Sequence, residues 1–286
     1  MRYRKVQELS GEHEVRDLCE LLQVSRSGYY AWYKRVETVR EVANRILVEQ
    51  IKQVFKANRG RYGSPRITQA LRQSGQKCNH KRVERLMRQA QLKGRTCRRR
   101  KVRTTNSEHD EPIAPNLLLD RPAPRRTDEV WVADITYVPT AEGWLFVAAV
   151  MDLYSRQILG WSVWESLAAG GALQALARAM VKRGYPNGVI HHSDRGVQYA
   201  SGEYRRQLRQ NGLIASMSRK GNCYDNAAME AFWSTLKREA LDQSDRWTND
   251  RVRRELFEYI EAVYNRSRLH SSLGYRSPVD FEQKNN

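Results

Sequence analysis

Val130-Trp131-Val132-Ala133-Asp134-Ile135-Thr136-Tyr137-Val138 is a run of β-branched, aromatic and small apolar residues with one carboxylate near its centre. Its length and composition predict a buried strand. An unpaired buried carboxylate is costly, so Asp134 needs either a basic partner or a cation. Downstream, residues 144–151 and 157–164 read as two more strands, joined by turns near Glu142-Gly143 and Tyr154-Ser155. A helix rich in Ala and Leu at 167–183 stops at Gly184, and Val189-Ile190-His191-His192 reads as a fourth strand. A helix at 202–211, a fifth strand at 213–217, and helices at 227–241 and 248–265 follow. Three hairpin-linked strands followed by alternating helix and strand predict an α/β fold with a mixed five-stranded sheet. That order fits a ribonuclease-H-like core.

Upstream of this core the pattern is helical. Residues 13–33 read as two short helices. Val15, Leu18, Leu21 and Leu22 form an apolar stripe on the first, and Ser25 caps the second, a small helix-turn-helix with Arg26 nearby. Residues 41–57 are predicted helical. Ser64 then caps a helix starting at Pro65, whose buried face is Ile67, Ala70 and Leu71 and which Gly75 ends. Asn79 caps the next, where Val83, Leu86, Met87 and Ala90 face a core while Lys81, Arg82, Arg85 and Arg88 lie elsewhere on the surface. One apolar and one basic face on a single helix suit a reader of the major groove. The expected division is therefore 1–40 as a helix-turn-helix-like segment, 41–97 as a second such DNA-binding domain, 98–128 as a basic linker, and 129–286 as the catalytic core with a helical extension. The linker opens on Arg98-Arg99-Arg100-Lys101 and holds four of the eight prolines; its Asn116-Leu117-Leu118-Leu119 is expected to dock on a neighbouring domain.

Charge follows the same boundary. Residues 1–126 hold 30 Lys+Arg and 13 Asp+Glu, whereas residues 127–286 hold 20 and 19, so the net +18 lies almost wholly in the helical part. One region that grips a polyanion and another that does chemistry account for such asymmetry. No apolar run of about 18 residues is present, so no transmembrane helix is expected. The residues after Met1 lack the apolar stretch of a secretory signal, which predicts a cytoplasmic protein. Cys19, Cys78, Cys97 and Cys223 show no CxxC spacing and are expected reduced, without a zinc site.

Two further carboxylates join Asp134. Asp194 stands in His192-Ser193-Asp194-Arg195-Gly196, just past the fourth strand, where open α/β sheets collect ligands. Glu230 lies early in the helix that Asp225 or Asn226 caps, with 35 residues between it and Asp194. Singly, each has a bland explanation: a turn organiser, or a Glu favourable to a helix dipole. Together they suit two divalent cations about 4 Å apart, the arrangement for in-line attack on a phosphodiester. Oxygen ligands select Mg²⁺ or Mn²⁺. Lys237, two helical turns after Glu230, is placed to meet a phosphate or a base. Asp152, in MDLYSR, reads as structural.

WVADITYV, HHSDRGVQYA, DNAAMEAFWSTLKRE and YNRSRLHSSLGYRSPVDFE resemble the insertion sequence 3 family of bacterial transposases, specifically its second-reading-frame product with a DDE integrase core. VSRSGYYAW and YGSPRIT with KRVERLMR extend the likeness over nearly the whole chain. The resemblance implies that Asp134, Asp194 and Glu230 form the metal-binding catalytic triad and that Lys237 is the family's basic residue on that helix. It also implies strand cleavage at transposon ends and transfer by a 3′-hydroxyl, through a circular intermediate. The absence of a GxxxxGK[ST] loop agrees with chemistry that needs no ATP. Expected partners are double-stranded DNA, further copies of the chain on that DNA, and the upstream-frame protein, in a nucleoid-associated bacterial setting. Arg26, Arg66, Lys81, Arg82, Arg85, Arg88 and the 98–101 run are the expected DNA contacts. A hydrolytic nuclease of the same fold and a non-enzymatic DNA-binding regulator are the alternatives.

Overall fold

The strand expected at 130–138 is β1 (Val130–Thr140), the centre of a five-stranded sheet. In the computed structural model, which describes residues 2–95, 111–165, 170–219, 226–242 and 244–285, β1 pairs antiparallel with β2 (Gly143–Asp152), and β2 with β3 (Ile158–Trp164). On its other side β1 lies parallel to β4 (Ile190–Ser193), and β4 to β5 (Ile214–Met217), giving the order β3-β2-β1-β4-β5. Strand alternation divides β1 between two cores: Val130, Val132 and Val138 face one, Trp131 and Ala133 the other. Each of these fully buried valines contributes about 1.5–3 kcal/mol.

The second core is covered by α7 (Gly170–Arg183), α8 (Val197–Ala200) and α9 (Gly202–Gln210). α7 rests directly on β3 because Gly160 has no side chain; a Cβ there overlaps the Ala175 carbonyl. The first core is covered by α10 (Ala227–Glu239) and α11 (Asn249–Phe257). The helix expected over 248–265 changes its hydrogen-bond spacing partway, continuing from α11 as a π-helix over Glu258–Tyr264. Asn265 ends it, donating to the Ile158 carbonyl (3.0 Å) and accepting from the Ile158 N–H (2.9 Å), so one side chain continues the ladder where β3 begins. The expected docking of 116–119 is met: the Leu117 N–H donates to Ser216 Oγ (2.9 Å) and Leu118 packs on the first core. Asp152 is structural, as expected, accepting from the N–H groups of Asp128, Tyr154 and Ser155.

The N-terminal segment has one helix more than expected: α1 (Arg2–Leu9) buries only Val6 and so shows no stripe in the sequence. α2 (Val15–Leu21) and α3 (Arg26–Tyr33) follow, with the Ser25 hydroxyl capping α3 at the Gly28 N–H. Leu21 does not join the stripe. Seven residues turn it outward to 77% exposure, and Cys19 fills the buried position. The second unit is α4 (Val39–Ala57), α5 (Ser64–Gln73) and α6 (His80–Gln89). α5 begins at Ser64, with Gly63 at the cap position; the Ser64 hydroxyl meets His80 Nε2 (3.1 Å) rather than capping. Gly75, at φ +88°, turns the chain after α5, and Asn79 caps α6 as expected. Ile67, Leu71, Val83, Leu86 and Met87 form this unit's core, and Leu269 from the far end of the chain completes it. α8 and a final α12 (Pro278–Asn285) were not expected, both being too short to show a period. No helix among the described residues is long and apolar enough to cross a membrane. Arg98, Arg99, Arg100, Lys101, Cys97, Cys223 and Asp225 lie outside the described residues.

Candidate active site

Two of the three carboxylates are brought together by strand register. Val132 of β1 stands beside His192 of β4 in parallel pairing. Two residues further along each chain, beyond the last paired residues, come Asp134 and Asp194, near enough for the charge of Asp194 to act on Asp134. Asp134 shares its face with Val130 and Val132, the face that α10 covers. Asp194 lies one residue past the end of β4, where its Oδ1 accepts the Gly196 N–H (2.9 Å) at the start of α8. The third, Glu230, sits in the first turn of α10 with its side chain exposed.

α10 is fastened to β1 at the site itself. The Asn226 amide donates to the Ala133 carbonyl (3.1 Å), and the Trp233 indole N–H donates to Asp134 Oδ2 (3.0 Å). The other oxygen, Oδ1, accepts the Ile135 backbone N–H (2.8 Å). Trp233 follows Glu230 by three residues and so shares its face of the helix. Of the two expected caps, Asp225 lies outside the described residues, and Asn226 stands at the cap position without a side-chain bond to α10's N–H groups, its Nδ2 donating to β1 instead. Neither Trp233 nor Asn226 was singled out as a site residue. Trp233's spacing from Glu230 was visible, but its partner, 99 residues earlier, was not.

The electrostatics are one-sided. Burial, then the charge of Asp194, and to a lesser extent Glu230, push the Asp134 carboxyl well above the ordinary carboxylate range; the Ile135 and Trp233 N–H groups offset only part of this. Tyr137 is raised too, by burial and then by Asp194 and Asp134, and the fully buried Tyr199 by burial, then Tyr204, then these same aspartates. The three carboxylates do not form a ready-made cage: among the described residues no three His, Cys, Asp or Glu groups are placed to hold an ion. The donor set, oxygen only, fits a hard divalent cation.

Lys237 lies half-buried on α10, seven residues past Glu230. Of the expected DNA contacts, Arg26 is exposed on α3, and Lys81, Arg85 and Arg88 are exposed on α6. Arg82 is turned back to Asn44 Oδ1 (2.9 Å) on α4. Arg66 faces inward over the Tyr62 ring and donates to the Leu269 carbonyl (2.8 Å).

Comparison with known proteins agrees with this architecture. The family described as Integrase core domain matches residues 124–223, a second family of that description matches 211–278, and an HTH-like domain matches 41–101. An uncharacterized 31 kDa protein of insertion element IS600 from Shigella sonnei is 43% identical over 268 residues, covering 93% of this chain and 98% of its own. Transposase InsF for insertion sequence IS3A of Escherichia coli K12 is 37% identical over 287 residues, covering 100% of this chain and 99% of its own. A chain of the simian T-cell lymphotropic virus intasome, solved with PP2A regulatory subunit B56 gamma, is 13% identical with a TM-score of 0.47, over 81% of this chain and 74% of that one. Relatives that match from end to end place the chain in the insertion sequence 3 family of transposases, as a second-reading-frame product with a DDE-type integrase core that catalyses DNA transposition.

Proposed function

We propose that Asp134, Asp194 and Glu230 are the catalytic carboxylates and hold two divalent cations, Mg²⁺ or Mn²⁺, between them. The observation that carries this is Asp134: a strand carboxylate whose described hydrogen-bond donors are both neutral and whose charged neighbours are both acidic. The structural carboxylates of this chain have a cation near: Arg268 binds Glu239, and the charge of Arg183 acts on Asp152. When bound, such a pair activates the attacking water or 3′-hydroxyl and stabilises the departing 3′-oxygen.

The protein's own groups do the rest. The Trp233 indole and Ile135 N–H hold the Asp134 carboxylate in one orientation, and the Gly196 N–H holds Asp194. Exposed Glu230 enters from α10, and Lys237 on that helix meets a phosphate or terminal base of the DNA end. Lys81, Arg85 and Arg88 of α6, with Arg26 and the 98–101 run, hold the duplex, so residues 1–40, 41–97 and the linker 98–128 bind while 129–286 reacts. Arg66 and Arg82 serve packing instead. Water cleaves a phosphodiester at the transposon end and exposes a 3′-hydroxyl, which then attacks a second phosphodiester; that transesterification forms one phosphodiester as it breaks another and releases the other strand's 3′-hydroxyl, so no nucleotide is consumed. Two ends must be joined in concert, which calls for several copies on DNA, assisted by the upstream-frame protein.

The test is a strand-transfer assay with a 3′-hydroxyl oligonucleotide carrying the transposon end. Mg²⁺-dependent products longer than the substrate, lost in Asp134→Asn, are expected. Shortened products alone mark a hydrolytic nuclease, and unchanged processing by Asp134→Asn overturns the assignment.

A further inference from the structure

The far end of α10 is gripped by the helical unit. Glu239, nine residues past Glu230, is wholly buried; its carboxylate accepts Arg268 Nε (2.9 Å) and Nη2 (2.8 Å) and the Tyr259 hydroxyl (2.8 Å). Its main-chain carbonyl accepts two more guanidinium groups, Arg61 Nε (3.2 Å) and Arg95 Nη1 (3.0 Å), both from the α4–α6 unit. The carbonyl end of a helix carries partial negative charge, so two cations there complement it. Around this point the Tyr62 hydroxyl donates to the Ser267 carbonyl (3.3 Å) and accepts the Leu269 N–H (3.0 Å). Arg59 pairs with Glu258 (2.6 Å), and Leu269 enters the helical unit's core.

We propose that Arg61 and Arg95 are positioning residues for Glu230: by binding the last carbonyl of α10 they set that helix against β1, so the carboxylate site is formed only when the helical unit is seated. This rests on the reading of Glu230 as a catalytic carboxylate. α10 is held at three points, Asn226 and Trp233 on β1 and Glu239 on the helical unit, and a rigid helix transmits a shift at one to the others. The basic residues exposed on α6 lie in the same unit, so DNA held there and the carboxylates that cut it share one rigid connection.

The experiment compares the full chain with Arg61→Ala/Arg95→Ala, Arg61→Lys and Glu230→Gln. At saturating DNA the double variant is expected to lose about 100-fold in strand-transfer kcat, as misplacement of about 1 Å does. Its DNA affinity stays within about two-fold, because neither arginine is spent on phosphate, and amide exchange speeds up along 227–239. Arg61→Lys, which keeps a cationic donor, recovers most of kcat. A double variant with kcat unchanged, or one whose whole loss is in DNA affinity, overturns the proposal. If the double variant does not fold, Arg95→Ala alone is read the same way, with about a 10-fold loss of kcat expected. Glu230→Gln separates the two failures: if it retains activity the catalytic reading itself falls, whereas if it is inactive while the arginine variants are unaffected only the coupling falls.

Discussion

The two ends of α10 bury carboxylates in opposite ways. At the Glu239 end, burial alone raises the carboxyl, but the hydrogen bonds and charge of Arg268, with the Tyr259 hydroxyl, outweigh it and hold Glu239 below its ordinary value. At the Glu230 end, Asp134 has, among the described residues, two neutral N–H donors and the acidic neighbours Asp194 and Glu230, and it is held well above. Both regions lie on the same sheet face and share the first core's packing. Burial is therefore not what distinguishes them; compensation is. Where the fold needs only a joint, it supplies its own cation; on the proposed reading, the Asp134 end leaves its charge for an ion from solution.

Four changes break or sharpen this contrast. Asp134→Asn, Asp194→Asn or Glu230→Gln is expected to lower strand transfer at least about 1,000-fold, roughly 4 kcal/mol of barrier, with DNA affinity retained; gel-resolved products measure it. At the compensated end the effect falls on stability. Arg268→Ala strands Glu239 and is expected to cost about 3–5 kcal/mol in denaturant unfolding, while Glu239→Leu with Arg268→Met is close to neutral. A mild Arg268→Ala effect contradicts the contrast.

The third concerns pH through two buried histidines, His191 on β4 (next to the equally buried His192) and His270 two residues past Arg268. Burial lowers both to about 3. Between that value and about 6.5 the unfolded chain takes the proton and the folded chain does not, so stability present at pH 7 is lost as pH falls. About 2 kcal/mol per histidine is expected to be gone by pH 5, read from unfolding curves. His191→Gln or His270→Gln removes its share of that slope. The smallest effect is Trp233→Phe, which removes one N–H from Asp134 and keeps the ring. Mn²⁺ affinity, followed by calorimetry, is expected to weaken about 10-fold with little change in unfolding temperature.

Much of this was legible in the sequence. The five strands announce themselves through composition and turn residues, and Asp134 stands out because charge does not belong in VWVADITYV. Asp194 is marked by its place just past a strand. What sequence hides is long-range polarity. Nothing near Trp233 reveals that its indole serves Asp134, and Asn226 looks like a cap although its amide is used by β1. The arginines are the least legible. Arg66 and Arg82 look like their neighbours Arg85 and Arg88, yet the first is spent on the Leu269 carbonyl and the second on Asn44. A surplus of basic residues predicts a polyanion partner for the region but not which side chains meet it. Leu21 fails for a simpler reason, since a seven-residue helix is too short for a stripe to fix which side faces inward.

The sharpest measurement is an anomalous difference map from crystals of the chain grown with Mn²⁺. Two peaks sharing the Asp134 carboxylate, one also reaching Asp194 and the other Glu230, are the expected result. Manganese bound elsewhere with Asp134 untouched, or Asp134 paired to a lysine or arginine, contradicts the two-ion reading of these residues.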